Sequence, residues 1–311
     1  MTPDAALARS IASKLTGVPP VSIRRFETGS RHHVFDLTFT DHAPLVVRIG
    51  DRSAHAEMAS AVTLSRLLRP LGVPLPQLLA FDLDAVLPWL ALERLPGRDL
   101  GAAMSGLSER QLDAIAAGVA RAQAITAATG ASVRYGYAVQ PKAAPFARWS
   151  DVLDANLARS RQRIAAADLF DPSLIATAEA ELTVLRAEAN AIPATPLLHD
   201  TTTRNVIVAP DGSLSGIVDV DDLCFGDPRL PAALTRAVLL AYGGPSGYVV
   251  AWLRHAGQAD DRLFRLYVGM FLLDLMSEHG QTFNGNQQPS RPEARTALLR
   301  AFTGHHDGSS R

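Results

Sequence analysis

The side chains best suited to chemistry lie close together in one part of the chain. The sequence reads Leu197-Leu198-His199-Asp200-Thr201-Thr202-Thr203-Arg204-Asn205-Val206-Ile207-Val208, then Gly216-Ile217-Val218-Asp219-Val220-Asp221-Asp222-Leu223-Cys224-Phe225-Gly226-Asp227-Pro228. Between these runs stands Asp211-Gly212, a pair that favours a tight hairpin turn between two β-branched segments. Asp200 comes five positions before Asn205, Asn205 leads directly into the first strand, and Asp219 follows the second. The spacing therefore predicts three oxygen-bearing side chains at one edge of a hairpin. Phosphoryl transfer needs little covalent help from protein. It needs a group to orient the attacking hydroxyl and accept its proton, and ligands to hold Mg²⁺ across the phosphates of a nucleotide. Asp200 suits the first task. Asn205 and Asp219 suit the second, because Mg²⁺ takes hard oxygen donors and keeps several waters of its own.

Composition sets the frame around this stretch. With 311 residues, 47% of them hydrophobic, the chain can bury a large core and suits one large domain or two lobes. A formal charge of −1 gives no global pull towards nucleic acid or an anionic membrane, so neither a nucleic-acid polymer nor a membrane is an expected partner. Met1 to Pro20 lacks the apolar core of a secretory signal. The longest apolar run, Leu266 to Met276, is interrupted by Gly269 and Asp274 and falls short of the roughly 20 residues that span a bilayer. The one cysteine, Cys224, can form no internal disulfide, so the cytoplasm is the expected compartment. The only lysines are Lys14 and Lys142, which leaves any grip on phosphate mostly to arginine. Nothing in the sequence signals an oligomeric state.

The elements that must position the site can be read from periodicity. Thr2, Pro3, Leu7, Ile11 and Leu15 predict a short amphipathic helix, capped by Thr2 and stopped at Gly17. Residues 21–26, 33–40 and 45–49 predict an antiparallel meander, and 54–71 a helix ended by Gly72, Pro74 and Pro76. Two further strands are expected at 78–81 and 86–92, making a sheet of about five strands. Beyond a boundary at Leu95-Pro96-Gly97 the pattern turns helical. Ser108 and Gln111 form a capping box for a helix whose buried face carries Leu112, Ile115, Val119 and Ala122. Helices follow at 151–167 and 172–189, the latter opened by Asp171-Pro172. The hairpin at 206–218 is the one strand-like interruption expected in this half, with helices onwards to Phe302 and a disordered tail from Gly304.

The stretch 198–228 resembles the aminoglycoside and choline phosphotransferase-like family, whose signature is His-x-Asp-x-x-x-x-Asn, a short hairpin, Ile-Asp-Trp and Gly-Asp-Pro. The resemblance implies an α+β, bilobal protein-kinase-like fold: a small antiparallel β-sheet N-lobe with one helix, and a larger helical C-lobe. It implies residues 1–95 as the nucleotide-binding lobe and 96–311 as the lobe with catalytic loop and substrate site. Asp200 falls at the family's catalytic base, Asn205 and Asp219 at its metal ligands, and Gly226-Asp227-Pro228 at its closing motif. The resemblance further implies ATP or GTP and Mg²⁺ as cofactors and a small-molecule hydroxyl as acceptor. Two positions depart from the pattern: the family's histidine is Leu198 here, and an aspartate usual after the closing motif is Pro231. Both help to brace the catalytic loop in kinase-like folds, so the bracing must differ, and the hydroxyls of Thr201, Thr202 and Thr203 are candidates for it.

In the first lobe, the turn Glu27-Thr28-Gly29-Ser30-Arg31 resembles the family's phosphate-covering turn, with Ser30 facing phosphate. Val46-Val47-Arg48-Ile49 resembles the strand that carries the phosphate-pairing base, so Arg48 takes that place, with Glu57 on the next helix as its partner. The segment 90–97 resembles the hinge, where backbone groups at Glu93 and Leu95 would meet an adenine. The plainer readings are a surface arginine at 48, a solvated charge at Glu57, capping or substrate-side roles for Asp221 and Asp222, and core packing for Trp89 and Trp149. A polar turn that satisfies its own backbone would explain 200–205, but not Asp219 and Gly226-Asp227-Pro228 at matching spacing.

A protein kinase is disfavoured, because the closing motif runs almost directly into a helix near Pro231 and leaves no room for an activation segment. From Pro231 onwards eight Arg stand against six Asp and Glu, which does not favour a polycationic acceptor. The competing expectation is a catalytically weak nucleotide- or ligand-binding protein that retains the kinase-like fold, motivated by Leu198 and Pro231.

Overall fold

The computed structural model describes residues 3–26, 32–283, 286–287 and 289–308. Its first helix, α1 (Ala5–Thr16), is capped by Asp4, whose carboxylate accepts from the Leu7 amide. The cap expected at Thr2 is thus corrected to Asp4; Asp is among the strongest N-caps, and Thr2 itself lies outside the described residues. Gly17 ends α1 in the left-handed region, φ 77°.

Strands β1 (Ser22–Arg25), β2 (His33–Thr38) and β3 (Leu45–Ile49) form the expected meander. Helix α2 (His55–Leu68) follows, then β4 (Leu78–Asp82) and β5 (Trp89–Glu93), giving an antiparallel sheet in the order β1-β2-β3-β5-β4. Strand alternation sends Leu45, Val47 and Ile49 to one face, where they pack with Ala8, Ile11 and Ala12 of α1. Arg48 therefore points to the opposite face. There Met58, Ala61 and Val62 of α2 pack on Leu90.

The last turns of α2 do not join that sheet core. Leu64 and Leu68, with Val73 and Leu75, enter a separate core shared with Ala122, Leu198, Ile217, Leu223 and Phe225. A backbone hydrogen bond from the Ile217 amide to the Pro74 carbonyl, 2.8 Å, reinforces the same junction.

The second half opens with β6 (Arg98–Asp99) and the short α3 (Leu100–Ala103), then α4 (Glu109–Ala127) with the Ser108–Gln111 capping box in place. Next come β7 (Gly136–Ala138), α5 (Trp149–Ala167), α6 (Ile175–Asn190), β8 (Thr195–Leu197), the hairpin β9 (Val206–Val208) and β10 (Leu214–Ile217), and β11 (Leu223–Gly226). Helices α7 (Leu230–Tyr242), α8 (Gly247–Ala256), α9 (Arg262–Glu278) and α10 (Pro292–Gly308) complete the lobe around a large apolar core.

The hairpin is not the only strand structure in this half. β6 adds a third strand to it, and β7, β11 and β8 form another three-stranded sheet. These strands are two to four residues long, too short for alternation to mark them. Gly97, at φ 105°, permits the close approach of β6, since a Cβ there would sit 1.8 Å from the Val208 carbonyl oxygen, a fit that only glycine allows. The tail expected to be disordered from Gly304 is helical as far as Gly308.

Candidate active site

The β9–β10 register builds the site. Val206 pairs with Ile217, and the Val218 amide donates to the Asn205 carbonyl at 2.9 Å. Asn205, just before β9, and Asp219, just after β10, are therefore held at the same end of the hairpin. The turn at the far end is closed by its own residues, as Asp-Gly turns are. Asp211 accepts from the Ser213 amide and hydroxyl, and Gly212 takes φ 83°.

Asp200 opens the loop into β9. Its carboxylate accepts from the Thr202 hydroxyl at 3.0 Å, and its carbonyl accepts from Asn205 Nδ2 at 3.0 Å. That second bond fixes the Asn205 amide and leaves Oδ1 as its outward, oxygen-donating end. Asp219 adopts φ 63°, a left-handed conformation uncommon outside glycine that costs of order 1 kcal/mol. Its side chain is 55% exposed, open to the cleft.

Gln123, which the sequence reading passed over, braces the loop that carries Asp200. Buried on α4, it pairs with both backbone groups of Leu198: the Leu198 amide donates to Oε1 at 3.0 Å, and Nε2 donates to the Leu198 carbonyl at 2.8 Å. Nε2 also reaches the Thr201 hydroxyl at 3.1 Å. Thr235 on α7 adds a hydroxyl bond to the Thr201 carbonyl at 3.3 Å. Two of the three threonines act differently from expectation: Thr201 and Thr202 bond side chains, and the loop backbone is held from α4 and α7. Gln123 lies four positions after Val119, on the apolar stripe of its helix; a polar residue there was the available signal.

Arg48 is 5% exposed, so the surface reading fails. Its guanidinium makes a bidentate pair with Asp221: Nη1 donates to Oδ1 at 2.7 Å, and Nη2 donates to Oδ2. Such a fork is the strong form of an arginine–carboxylate pair. Nη1 also lies 3.2 Å from Asp219 Oδ1, which brings Arg48 and the candidate metal ligand together. Burial opposes the Arg48 charge, but Asp221 and then Asp219 raise its pKa above the ordinary arginine value. Burial likewise pushes the Asp221 carboxyl up, yet Arg48 and His32 hold it well below the usual carboxylate range. Glu57 stands 3.4 Å from His32 Nε2, and its charge also acts on Arg48. Ser30 and its turn lie outside the described residues.

At the hinge, the Glu93 amide donates to the Gln77 carbonyl at 2.8 Å and the Glu93 carboxylate accepts from the Gln77 amide at 3.0 Å. The Leu95 carbonyl accepts from Arg94 Nη1, and the Leu95 side chain is buried. Beside the catalytic loop, His199 Nδ1 lies 3.0 Å from Asp222 Oδ1 and its ring meets Tyr137 edge-on at 5.1 Å. Burial opposes the imidazolium, but Asp222 raises the His199 pKa above its ordinary value.

Gly226-Asp227-Pro228 has a structural basis. Gly226 lies flat on Trp149, whose ring a Cβ would meet at 2.2 Å. Asp227, 1% exposed, accepts from the Arg229 amide at 2.9 Å, from Arg229 Nε at 3.0 Å and Nη2 at 2.7 Å, and from the Tyr267 hydroxyl at 2.9 Å. Trp149 Nε1 donates to Tyr267 at 2.8 Å, and Arg229 Nη1 donates to Asp261 at 2.6 Å. Pro231 sits buried in the first turn of α7, and Arg229 supplies the charged contact at this corner.

Among the described residues, no three His, Cys, Asp or Glu side chains converge as a metal cage. Asn205 Oδ1 and the exposed Asp219 carboxylate fit a weaker demand, that of a cation keeping several waters and substrate oxygens. No described helix is long and apolar enough to cross a membrane.

A five-stranded antiparallel lobe over a helical lobe, with an Asp-Asn-Asp edge facing a buried arginine, defines the class of kinase-like small-molecule phosphotransferases. The chain belongs to the phosphotransferase enzyme family, whose sequence model matches residues 22–265. It is similar to a solved aminoglycoside phosphotransferase, a thermostable mutant of APH(4)-Ia in a ternary complex with AMP-PNP and hygromycin B: TM-score 0.66, 17% identity, 99% of this chain and 100% of that one. It is also similar to a putative fructosamine-3-kinase from Thermobifida fusca, with TM-score 0.62, 17% identity and coverage of 98% and 100%. The GDP and kanamycin complex of APH(2")-IIia aligns at TM-score 0.65, 14% identity, with 98% of each chain covered. At such identities the likeness is one of fold. No curated protein matches the sequence.

Proposed function

We propose that the chain transfers the γ-phosphoryl group of Mg²⁺-bound ATP or GTP to a hydroxyl of a small molecule. The acceptor oxygen bonds to the γ-phosphorus as the bond to the bridging oxygen breaks; the nucleoside diphosphate leaves and the hydroxyl proton passes to Asp200. Asn205 and Asp219 would hold Mg²⁺, which when bound spreads the charge that develops on the phosphate oxygens. Arg48 would meet the phosphates, Ser30 is proposed as a further phosphate-binding residue, and backbone groups at Glu93 and Leu95 would meet the base. Residues 1–95 grip the nucleotide and 96–311 bring the catalytic loop and the acceptor.

The observation that carries this reading is the hairpin register, which sets Asn205 and Asp219 side by side beneath Arg48, with Asp200 on the adjoining loop. The Gln123 brace weighs against a decayed site, since Leu198 is held by other means than the family's histidine.

The test is thermal melting with Mg-ATP and Mg-GTP. A ligand that binds only the folded state at a hundred times its Kd adds about 2.7 kcal/mol, or several degrees for a chain of this size. Wild type should shift with at least one nucleotide, Asp219→Ala should not, and Asp200→Asn should shift while losing at least about a hundredfold in turnover. No shift of wild type with either nucleotide would sink the reading.

A further inference from the structure

We propose that Asp221, rather than Glu57, is the positioning residue that aims the Arg48 guanidinium at the nucleotide phosphates. The inference rests on the phosphotransferase reading above and adds to it the carboxylate that sets the arginine's orientation.

The side chain of Arg48 leaves β3 on the α2 face of the sheet and has to cross to the edge of the hairpin. A long, flexible side chain does not hold one direction without a partner. A single contact leaves the guanidinium free to rotate, whereas two parallel bonds fix its plane. The Asp221 fork supplies those two bonds, and both members are shielded from water: the side chain of Arg48 is 6% exposed and that of Asp221 18%. Glu57 is seated one step further off. Its carboxylate is 3.4 Å from His32, and His32 in turn is 3.6 Å from Asp221.

The fork also leaves donors over. Of the five N–H groups that an arginine carries, Asp221 occupies two. Arg48 Nε is buried with no hydrogen-bond acceptor among the described residues, a deficit that a native site tolerates where a ligand supplies the missing oxygen. Asp221 stands two residues beyond Asp219, on the same loop, and Asp219 touches the same guanidinium. The arginine that meets the phosphates and the carboxylate that meets the metal are thereby set by one segment of backbone. An arginine tied only to α2 would follow that helix; this one follows the metal loop.

The experiment is a double-mutant cycle on the full chain, read as the Kd of whichever Mg-nucleotide the wild type binds. Asp221→Asn should weaken binding roughly tenfold, and Glu57→Gln by less than about threefold. In an Arg48→Met background, Asp221→Asn should add less than about twofold, because the residue acts through Arg48. A merely structural aspartate would cost the same in both backgrounds. Asp221→Glu, which keeps the charge and moves the fork, should recover part of the loss and takes the place of Asp221→Asn in the cycle if that variant does not fold. Equal losses in the two backgrounds, a larger effect of Glu57→Gln, or tighter binding by Asp221→Asn would each overturn the inference while leaving the phosphotransferase reading intact. No binding by the wild type would overturn both.

Discussion

Two charged clusters flank Cys224 in sequence and are built on opposite lines. Around Asp227, Arg229, Asp261, Tyr267 and Trp149 form a closed chain of donors and acceptors in which the buried carboxylate is met from several sides. Around Asp219 and Asp221, Arg48 Nε has no acceptor among the described residues, neither ring nitrogen of His32 has a partner there in hydrogen-bond geometry, and Asp219 is half exposed on a left-handed backbone. Burial alone does not distinguish the two clusters, since Arg48 and Asp227 are both nearly inaccessible. Completeness does. Between these two clusters, the satisfied one holds the fold, and the one with unspent valences has groups that a ligand can meet.

That contrast can be broken by experiment. Its largest expected effect is at Asp227. Removing one member of a buried, hydrogen-bonded ion pair strands the other, at about 3–5 kcal/mol. Asp227→Ala should therefore lower the urea midpoint far more than Asp219→Ala; equal losses would show that the two clusters do the same work. Gln123→Leu comes next. It leaves the buried Leu198 amide and carbonyl without partners, at about 2 kcal/mol, and a small shift of the catalytic loop costs up to about a hundredfold in rate. Turnover should fall more than stability does, and a variant that loses stability with unchanged kcat would reduce Gln123 to a packing residue.

The smallest effect is at Asp261. Burial raises its carboxyl, but the Phe264 amide and Arg229 hold it below the ordinary 3.8. A depressed folded pKa gives stability that is present above the unfolded value and lost as pH falls through the folded one. The side chain is 50% exposed, so solvent screening limits this to under about 1 kcal/mol. Unfolding free energies on either side of that window should differ less in Asp261→Asn than in wild type; an unchanged difference would place the acid sensitivity elsewhere.

The hairpin and its Asp-Asn-Asp edge could be read from sequence because turn chemistry and spacing act locally: Asp211-Gly212 turns the chain back, although the one-residue shift in register between Leu214 and Gly216, which decides that Ile217 meets Val206, carries no such local signal. The partner of Arg48 could not. Asp221 lies 173 positions away, and Glu57 was the nearer carboxylate on a plausible helix. Gln123 was missed for a different reason: a reading of α4 tuned to its apolar face overlooked the polar side chain set into it. The sheet of β7, β11 and β8 was invisible because Thr195-Pro196-Leu197 and Leu223–Gly226 are too brief for a period to show, and their pairing comes from tertiary context.

The placement of Leu64, Leu68, Val73 and Leu75 against Leu198, Ile217 and Phe225 determines what can be separated from what. The N-terminal lobe does not bury these side chains in its own sheet core, so it is not a self-sufficient unit. Cut from the rest, it would present a sticky apolar edge and a Pro74 carbonyl that has lost the Ile217 amide. The two lobes should therefore be lost together in a single cooperative melt, because the segment leading into Asp200 is bonded from α4 on one side and covered by Leu64 and Leu68 of α2 on the other.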